Sequence, residues 1–176
     1  MKTVRYISNL LFYFCRITVL FQVLTGVYGS FVLILQETGS ISSLPISNIG
    51  DDRYVIFFPF TRQPFLTGVY DPWSNIIAML TFLLYGLFFW LLSDIFKTFR
   101  QPKLFTPSGV NRLKRFYVGN LTIPILMLLV LAVSGDEVAN LVSVTFLHMI
   151  LGVFAFFMAA IFQQGLLLQE EQDLTL

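Results

Sequence analysis

Four long apolar runs, separated by shorter polar or charged stretches, set the pattern of the chain. They cover residues of about 6–35, 72–97, 107–133 and 137–168. A helix of about 20 apolar residues crosses the hydrocarbon core of a bilayer, so each run is long enough to span a membrane. The pattern predicts an all-α membrane protein, a bundle of four transmembrane helices in a single domain, residues 1–176.

The sequence marks where three of these helices begin. Asp71-Pro72 and Thr106-Pro107 each place a capping side chain before a proline, which suits the first helical position. Ser134 and Glu137 have the spacing of a capping box for the fourth helix. Pro124 lies inside the third run, where it removes a backbone hydrogen bond, and we expect a kink there.

The outer loop between the first two helices, residues 38–70, is expected to hold a short β-hairpin. Its strands would be residues 53–60 and 65–70, which are rich in valine, isoleucine and phenylalanine. Residues 61–64 (TRQP) would form the turn, and Pro59 would have to lie on a sheet edge. The loop could be a structural cap on the helices or a lid that binds a ligand or partner, and the sequence leaves both open.

Composition supports a membrane location. Hydrophobic residues make up 56% of the chain and charged residues 12%, against about 25% charged residues in soluble proteins. A single cysteine, Cys15, excludes an internal disulfide and is interpreted as a packing residue. The basic start, Lys2 and Arg5, precedes an apolar run too long for a signal peptide, which indicates a retained signal-anchor helix.

The distribution of charge predicts the orientation. Residues 96–116 contain six of the chain's 11 lysine and arginine residues and no acid, and they include the basic loop 98–106. Short loops rich in lysine and arginine stay in the cytoplasm. The loop 38–70 and the acidic turn Asp136-Glu137 then lie outside. We expect four spans with both termini in the cytoplasm.

Three residues within the apolar runs are candidates for a functional role: Arg16, Asp94 and His148. A charge at membrane depth costs roughly 2.5–3.5 kcal/mol, so Arg16 is expected to pair with an acid, either Asp94 or Glu170. His148 is the only histidine and has no companions for a metal site. It is either hydrogen-bonded between helices or a proton-handling group.

Catalytic motifs are lacking in the sequence. It contains no glycine-rich phosphate loop, no paired carboxylates within the apolar runs and no serine, histidine and aspartate that can be placed together. We therefore expect no enzyme activity, no cofactor and no bound metal.

Six charged residues are predicted to share the cytoplasmic surface. Arg112, Lys114 and Arg115 lie near the start of the third helix, and Glu170, Glu171 and Asp173 lie near the end of the fourth. Exposed pairs between them would each contribute only ~0–1 kcal/mol. The basic residues could also contact anionic lipid. The alternative is that these charges form a docking face for a soluble protein.

Two segments carry a family resemblance. Residues 104–115 (LFTPSGVNRLKR) and 165–176 (GLLLQEEQDLTL) resemble the bacterial membrane family called domain of unknown function 2975. The resemblance covers essentially the whole chain and implies four spans and a long first outer loop. The family has no established activity, so the resemblance implies no catalytic residues. Similar proteins are often encoded beside a small Cro-like helix-turn-helix regulator.

These observations lead to two functional expectations. The first is an interaction or sensory role, in which the cytoplasmic face binds a helix-turn-helix regulator without direct contact with nucleic acid. The alternative is a small transporter or ligand-binding bundle with a polar cavity near Arg16, Asp94 and His148. The lipid bilayer is a partner in both, and whether the chain forms a homo-oligomer stays open.

Overall fold

The computed structural model describes residues 2–38, 46–50, 52–134 and 139–174. These residues form four helices and a three-stranded sheet. In chain order the elements are α1 (Lys2–Glu37), β1 (Ile46–Gly50), β2 (Arg53–Phe57), β3 (Pro64–Val69), α2 (Pro72–Phe99), α3 (Pro107–Ser134) and α4 (Ala139–Leu174).

The chain divides into two compact units. The strand unit is Thr18–Leu87 and contains the sheet with the adjoining parts of α1 and α2. The helical unit is Met1–Ile17 together with Phe88–Leu176, which contains α3, α4 and the other parts of α1 and α2.

Three helices in the described part of the chain are long and apolar enough to cross a membrane. These segments are Lys2–Gln36, Pro72–Phe99 and Val142–Leu174. They correspond to the first, second and fourth spans that the hydrophobic pattern predicts. The third predicted span forms a helix of 28 residues, α3, but the first part of that helix carries Arg112, Lys114 and Arg115.

Two of the three predicted helix caps are confirmed. The Asp71 carboxylate accepts a hydrogen bond of 2.7 Å from the backbone N–H of Ser74. Hydrogen bonds from the side chain and backbone of Ser74 lower the pKa of Asp71. Thr106 Oγ1 accepts from the backbone N–H of Gly109 at 3.1 Å. The predicted capping box of Ser134 and Glu137 and the turn Asp136-Glu137 involve residues outside the described part.

The fourth helix extends further than expected. The fourth span is predicted to end at residue 168, and α4 continues as a helix to Leu174. The two bounds differ because the apolar pattern marks the membrane-crossing part alone. Leucine, glutamine and glutamate are good helix formers, so the backbone stays helical after the apolar run ends. α3 is a single helix that includes Pro124, and the kink there stays a prediction.

The predicted β-hairpin is confirmed. Strands β2 and β3 pair in antiparallel fashion, with Val55 opposite Thr67 and Ile56 opposite Leu66. The first strand is shorter than predicted, because β2 ends at Phe57. Pro59 therefore lies in the turn and not on a strand edge, which removes the conflict with its missing N–H.

A third strand, β1, was not predicted. It pairs in antiparallel fashion with β2, with Ser47 opposite Val55 and Asn48 opposite Tyr54. Serine, asparagine and glycine have low strand preference, so the sequence of β1 reads as a loop. The strand forms through pairing with the more apolar β2.

The core of the strand unit lies between the sheet and α1. Val32, Tyr54 and Ile56 are buried there, and Tyr28, Leu33, Ile46, Phe65 and Leu66 pack around them. Tyr54 lies opposite Gly68 across the β2–β3 pair. A side chain at position 68 would collide with the Tyr54 hydroxyl, so glycine leaves room for the Tyr54 ring in its present position.

The core of the helical unit lies between α3 and α4. Leu113, Ala159 and Phe162 are buried, with Phe99 and Phe105 among the side chains packed against them. A Cβ atom on Gly165 would lie 2.7 Å from the Phe105 ring, so glycine allows this ring to approach α4 closely.

The cap of α3 can be tested by Thr106→Ala. Loss of the bond to the Gly109 N–H should lower the free energy of unfolding by about 0.5–2 kcal/mol, because a helix N–H loses its acceptor. Denaturant titration in detergent, followed by circular dichroism, measures this change. Ser108→Ala is the matched control, since Ser108 is exposed and its hydroxyl contacts Thr106 Oγ1 without capping the helix. Equal losses in the two variants would contradict the capping role.

Candidate functional site

Asp94 on α2 is shared by two arginines in the helical unit. Its Oδ1 lies 3.2 Å from Arg16 Nη2, and its Oδ2 lies 3.8 Å from Arg115 Nη2. Only 13% of the Asp94 side chain is exposed, against 33% for Arg16 and 57% for Arg115. One carboxylate thus faces two guanidinium groups, and the cluster carries an excess of positive charge.

Aromatic rings hold the Arg16 guanidinium on its other sides. Its central carbon lies 4.9 Å from the centre of the Trp90 ring and 5.4 Å from that of Phe12. The guanidinium carbon of Arg100 lies 4.5 Å from the centre of the same Phe12 ring. Cation–π contacts of this kind contribute about 0.5–2 kcal/mol, more when water is excluded. Arg16 is therefore positioned by a carboxylate and two rings together.

The two ion pairs of Asp94 differ in strength. The Arg16 pair is short and largely buried, and breaking a buried pair by removing one partner costs about 3–5 kcal/mol at the upper limit. The Arg115 pair is longer, and the Arg115 side chain is more than half exposed. Exposed pairs of this kind contribute ~0–1 kcal/mol to stability. Arg16 is thus the main partner of Asp94, and Arg115 adds a second, solvent-screened contact.

A buried hydroxyl connects Arg112 to the same helix. Thr98 is fully buried, and its Oγ1 donates to the Asp94 backbone carbonyl at 3.3 Å. Arg112 Nη1 donates to this hydroxyl oxygen at 3.5 Å. Two of the three basic residues that the sequence places on the cytoplasmic surface, Arg112 and Arg115, therefore point towards α2.

His148 forms a hydrogen bond between helices. Its Nδ1 lies 2.7 Å from Asn120 Oδ1, and Asn120 Nδ2 donates to the Phe116 carbonyl at 2.9 Å. With the Asn120 amide in this orientation its oxygen accepts, so Nδ1 of His148 carries the proton. The histidine ring also stands edge-on to Phe88, with centroids 5.0 Å apart.

Sequence reasoning overlooked the role of Asn120. Asn120 is 3% exposed and lies four residues before Pro124, whose missing N–H leaves the Asn120 carbonyl without its usual helical donor. A buried asparagine beside a helix-breaking proline is the signal that could have identified it. Thr145, one turn before His148, is also buried, and its hydroxyl has no hydrogen-bond partner in the described residues.

The acidic end of α4 lies beyond the packed part of the α3–α4 pair. Phe162 packs with Leu113, and Gly165 faces Phe105. The three acids follow Gly165 by five to eight residues, which places them about 7–12 Å further along the helix axis. Arg112, Lys114 and Arg115 lie on α3 beside Leu113 and hence near the level of Phe162. That Arg112, Lys114, Arg115, Glu170, Glu171 and Asp173 share one cytoplasmic surface stays a prediction.

The strand unit contains a half-open cavity of about 310 Å³. Its walls include Gly26 and Gly29 of α1, Ala78 and Phe82 of α2, and Leu66 of the sheet. Arg16, Asp94 and His148 are not among its lining residues, so it differs from the polar cavity that the sequence predicts near those three.

Uncharged polar groups lie at one side of this cavity. The Tyr54 hydroxyl donates to Asn75 Oδ1 at 2.6 Å. Burial raises the pKa of Tyr54, and the neighbouring Tyr70 raises it further. Tyr54 therefore remains a neutral donor at physiological pH. Among the described residues, no group of three or more histidine, cysteine, aspartate or glutamate side chains is placed to hold a metal ion.

A double-mutant cycle tests the unequal sharing of Asp94. Arg16→Leu and Asp94→Asn should couple by about 0.5–3 kcal/mol in the free energy of unfolding, because each single change leaves a charge without its main partner. Arg115→Leu and Asp94→Asn should couple more weakly, since Arg115 is exposed to solvent. Unfolding in mixed detergent micelles measures all five variants.

Lys2→Leu provides the control for this cycle. Lys2 is exposed and precedes Arg16 by 14 residues, about 21 Å, on α1, so its change combined with Asp94→Asn should be close to additive. Lys97, by contrast, lies one turn after Asp94 on α2 and is close enough to interact with it. Additive effects for Arg16 and Asp94 as well would show that their contact does not stabilise the fold.

Comparison with known proteins agrees with the resemblance seen in the sequence. A family described as a protein of unknown function, DUF2975, matches residues 55–176, from within β2 to the end of the chain. A search of curated proteins and a search of solved structures find no match to this chain. The match covers more than half of the sequence and both segments that carry the resemblance, and the chain therefore belongs to the DUF2975 family.

Proposed function

We propose that this protein spans the bacterial cytoplasmic membrane four times and binds a soluble regulator at its cytoplasmic face. Three helices have the length and composition of membrane spans. In α3, residues 119–134 contain no charged side chain, which supports a fourth span. The basic segment 96–116 supports a cytoplasmic location for the α2–α3 loop and hence for both termini.

The end of α4 is the observation that carries this proposal. The helix continues beyond the packed part of the α3–α4 pair, and Glu170, Glu171 and Asp173 are exposed on it. Leu167, Leu168 and Leu174 are exposed on the same segment. A helix that presents both leucines and carboxylates offers apolar area for affinity and charge for orientation.

A small helix-turn-helix regulator is a suitable partner for such a helix. Proteins that bind DNA carry a basic face, because they neutralise phosphates. The acidic end of α4 is complementary to that charge. Proteins that resemble this family are often encoded beside such a regulator, which supports the same partner.

Copurification tests the docking role of the tail. A tagged helix-turn-helix regulator of the kind encoded beside similar proteins should retain this chain in detergent. The triple change Glu170→Lys, Glu171→Lys and Asp173→Lys should reduce retention at least about tenfold at low salt, since close charge pairs at an interface contribute more than 1.4 kcal/mol in favourable cases. Retention should also fall as salt is raised, because the contact is partly electrostatic.

Lys103→Glu and Lys114→Glu are the matched charge-reversal controls. Both residues are exposed in the helical unit, and reversing their charge should leave retention unchanged or slightly higher. Retention that is unaffected by deleting residues 169–176 would overturn docking through the tail.

A second candidate function, ligand binding by the membrane bundle, is favoured by the cavity in the strand unit. None of its lining residues is charged, and they combine apolar side chains with Ser30, Thr67 and Asn75. A volume of about 310 Å³ is at the lower end of that of small-molecule sites. This cavity suits a small, neutral, amphipathic molecule.

Filling the cavity tests this second function. Ala78→Phe places a ring in the cavity wall and should abolish retention of a bound molecule, which native mass spectrometry of the protein released from membranes can detect. Leu80→Phe is the control, since Leu80 is exposed on the same helix and does not line the cavity. A bound mass that persists in Ala78→Phe, or no bound mass in the wild type, would exclude the cavity as a ligand site.

A further inference from the structure

The turn between β2 and β3, residues 58–63, presents two aromatic side chains outwards. Phe60 is fully exposed, and Phe58 is exposed as well. Phe60 also has a positive φ of 62°. Bulky residues rarely adopt this left-handed conformation, and strained positions of this kind concentrate at functional sites.

The turn has a defined conformation, so the position of Phe60 is not arbitrary. The backbone N–H of Phe58 donates to the Gln63 carbonyl at 3.0 Å, and the N–H of Thr61 donates to the Phe58 carbonyl at 3.1 Å. Thr61 Oγ1 accepts from the Gln63 N–H at 3.3 Å. The Phe58 ring packs on Phe65, with centroids 4.5 Å apart. These contacts hold the Phe60 ring away from the rest of the strand unit.

The hairpin runs along α1, with its turn towards the apolar middle of that helix. At the far end from the turn, Gln36 Nε2 donates to the Tyr70 hydroxyl at 2.8 Å. Closer to the turn, Ile56 packs with Val32. Next to the turn, the Tyr28 hydroxyl donates to the Phe57 carbonyl at 2.7 Å. Contacts closer to the turn therefore involve residues that lie earlier in α1.

The outward-facing side chains of α1 just before Tyr28 are apolar. Phe21, Leu24 and Val27 are all exposed in this part of the candidate span. With 36 residues, α1 is about 54 Å long, well beyond the ~30 Å hydrocarbon core. Its last nine residues, after Tyr28, cover about 14 Å and carry the sheet. Exposed apolar side chains continue after Tyr28 at Phe31 and Ile34, so the level of Tyr28 is one that lipid can surround.

We infer that residues 58–63 form a membrane anchor that inserts Phe58 and Phe60 into the interfacial layer of the bilayer around α1. The direction of the hairpin brings the turn to the part of α1 that lipid surrounds. Aromatic rings favour the headgroup level, and the exposed Arg62 beside them can bind lipid phosphate. Insertion accounts for a strained backbone that exposes a phenylalanine. The anchor is independent of regulator binding.

Site-directed spin labelling in lipid nanodiscs tests the anchor. Cys15→Ala removes the sole cysteine, and Phe60→Cys then carries a nitroxide in discs of phosphatidylcholine and phosphatidylglycerol. The label should be accessible to oxygen and severalfold less accessible to the water-soluble nickel reagent NiEDDA than a label at Asn48→Cys. Asn48 is exposed on β1 and pairs with Tyr54, away from the turn. A label at Leu24→Cys provides the lipid-facing reference.

Two results would overturn the anchor. Accessibility to NiEDDA as high as at Asn48 would place the turn in water. Low accessibility to both reagents would show that protein, either this chain or a second copy, covers it.

A second measurement keeps the native Phe60 ring, because the nitroxide is itself apolar. With the label at Gln63→Cys, an exposed position in the same turn that keeps Arg62, Phe60→Ser should raise NiEDDA accessibility severalfold as the turn leaves the bilayer. An unchanged value would show that Phe60 does not hold the turn in lipid.

Discussion

The absence of hydrogen-bond partners in the hydrocarbon core is the constraint on which this structure depends. Every polar group at membrane depth must be satisfied within the chain, since lipid offers no replacement for water. Helices satisfy the backbone, and the polar side chains find one another. Arg16 faces Asp94, and His148 shares a hydrogen bond with Asn120. These contacts join separate helices. The need of each polar group for a partner therefore also determines which helix faces lie next to each other.

The Asp94 cluster shows how this requirement competes with charge balance. A neutral pair would need one arginine, yet Arg16 and Arg115 both lie beside the carboxylate. Repulsion between the two guanidinium groups is tolerable because Arg115 is more than half exposed and solvent screens it. Arg16, with less access to water, depends on Asp94 and on the rings of Trp90 and Phe12. The excess positive charge accordingly lies on the more exposed side of the cluster.

Much of this architecture could be predicted from the sequence, because membrane spans and helix caps are local signals. The helix starts at Pro72 and Pro107 and the β2–β3 hairpin follow from patterns a few residues long. The proximity of Arg16 to Asp94 follows from their similar predicted depth in the membrane. Strand β1 could not be predicted, since it exists through pairing with a distant partner. The contact of the second arginine, Arg115, with Asp94 could not be predicted either, because the sequence does not determine the orientation of a long side chain. Asn120 could not be identified as the hydrogen-bond acceptor of His148, because that requires knowing how α3 packs against α4.

The strand unit shows that the same solvent constraint also acts outside the helices. A short sheet with exposed aromatic residues would be a liability in water, because exposed apolar surface promotes association. Here the sheet packs on α1 through Val32 and Ile56, and its hydrogen-bonded turn directs Phe60 outwards. A positive φ at a bulky residue such as Phe60 costs free energy. A favourable contact of its exposed ring with lipid would offset that cost, so the bilayer that determines the helices would also account for the conformation of this turn.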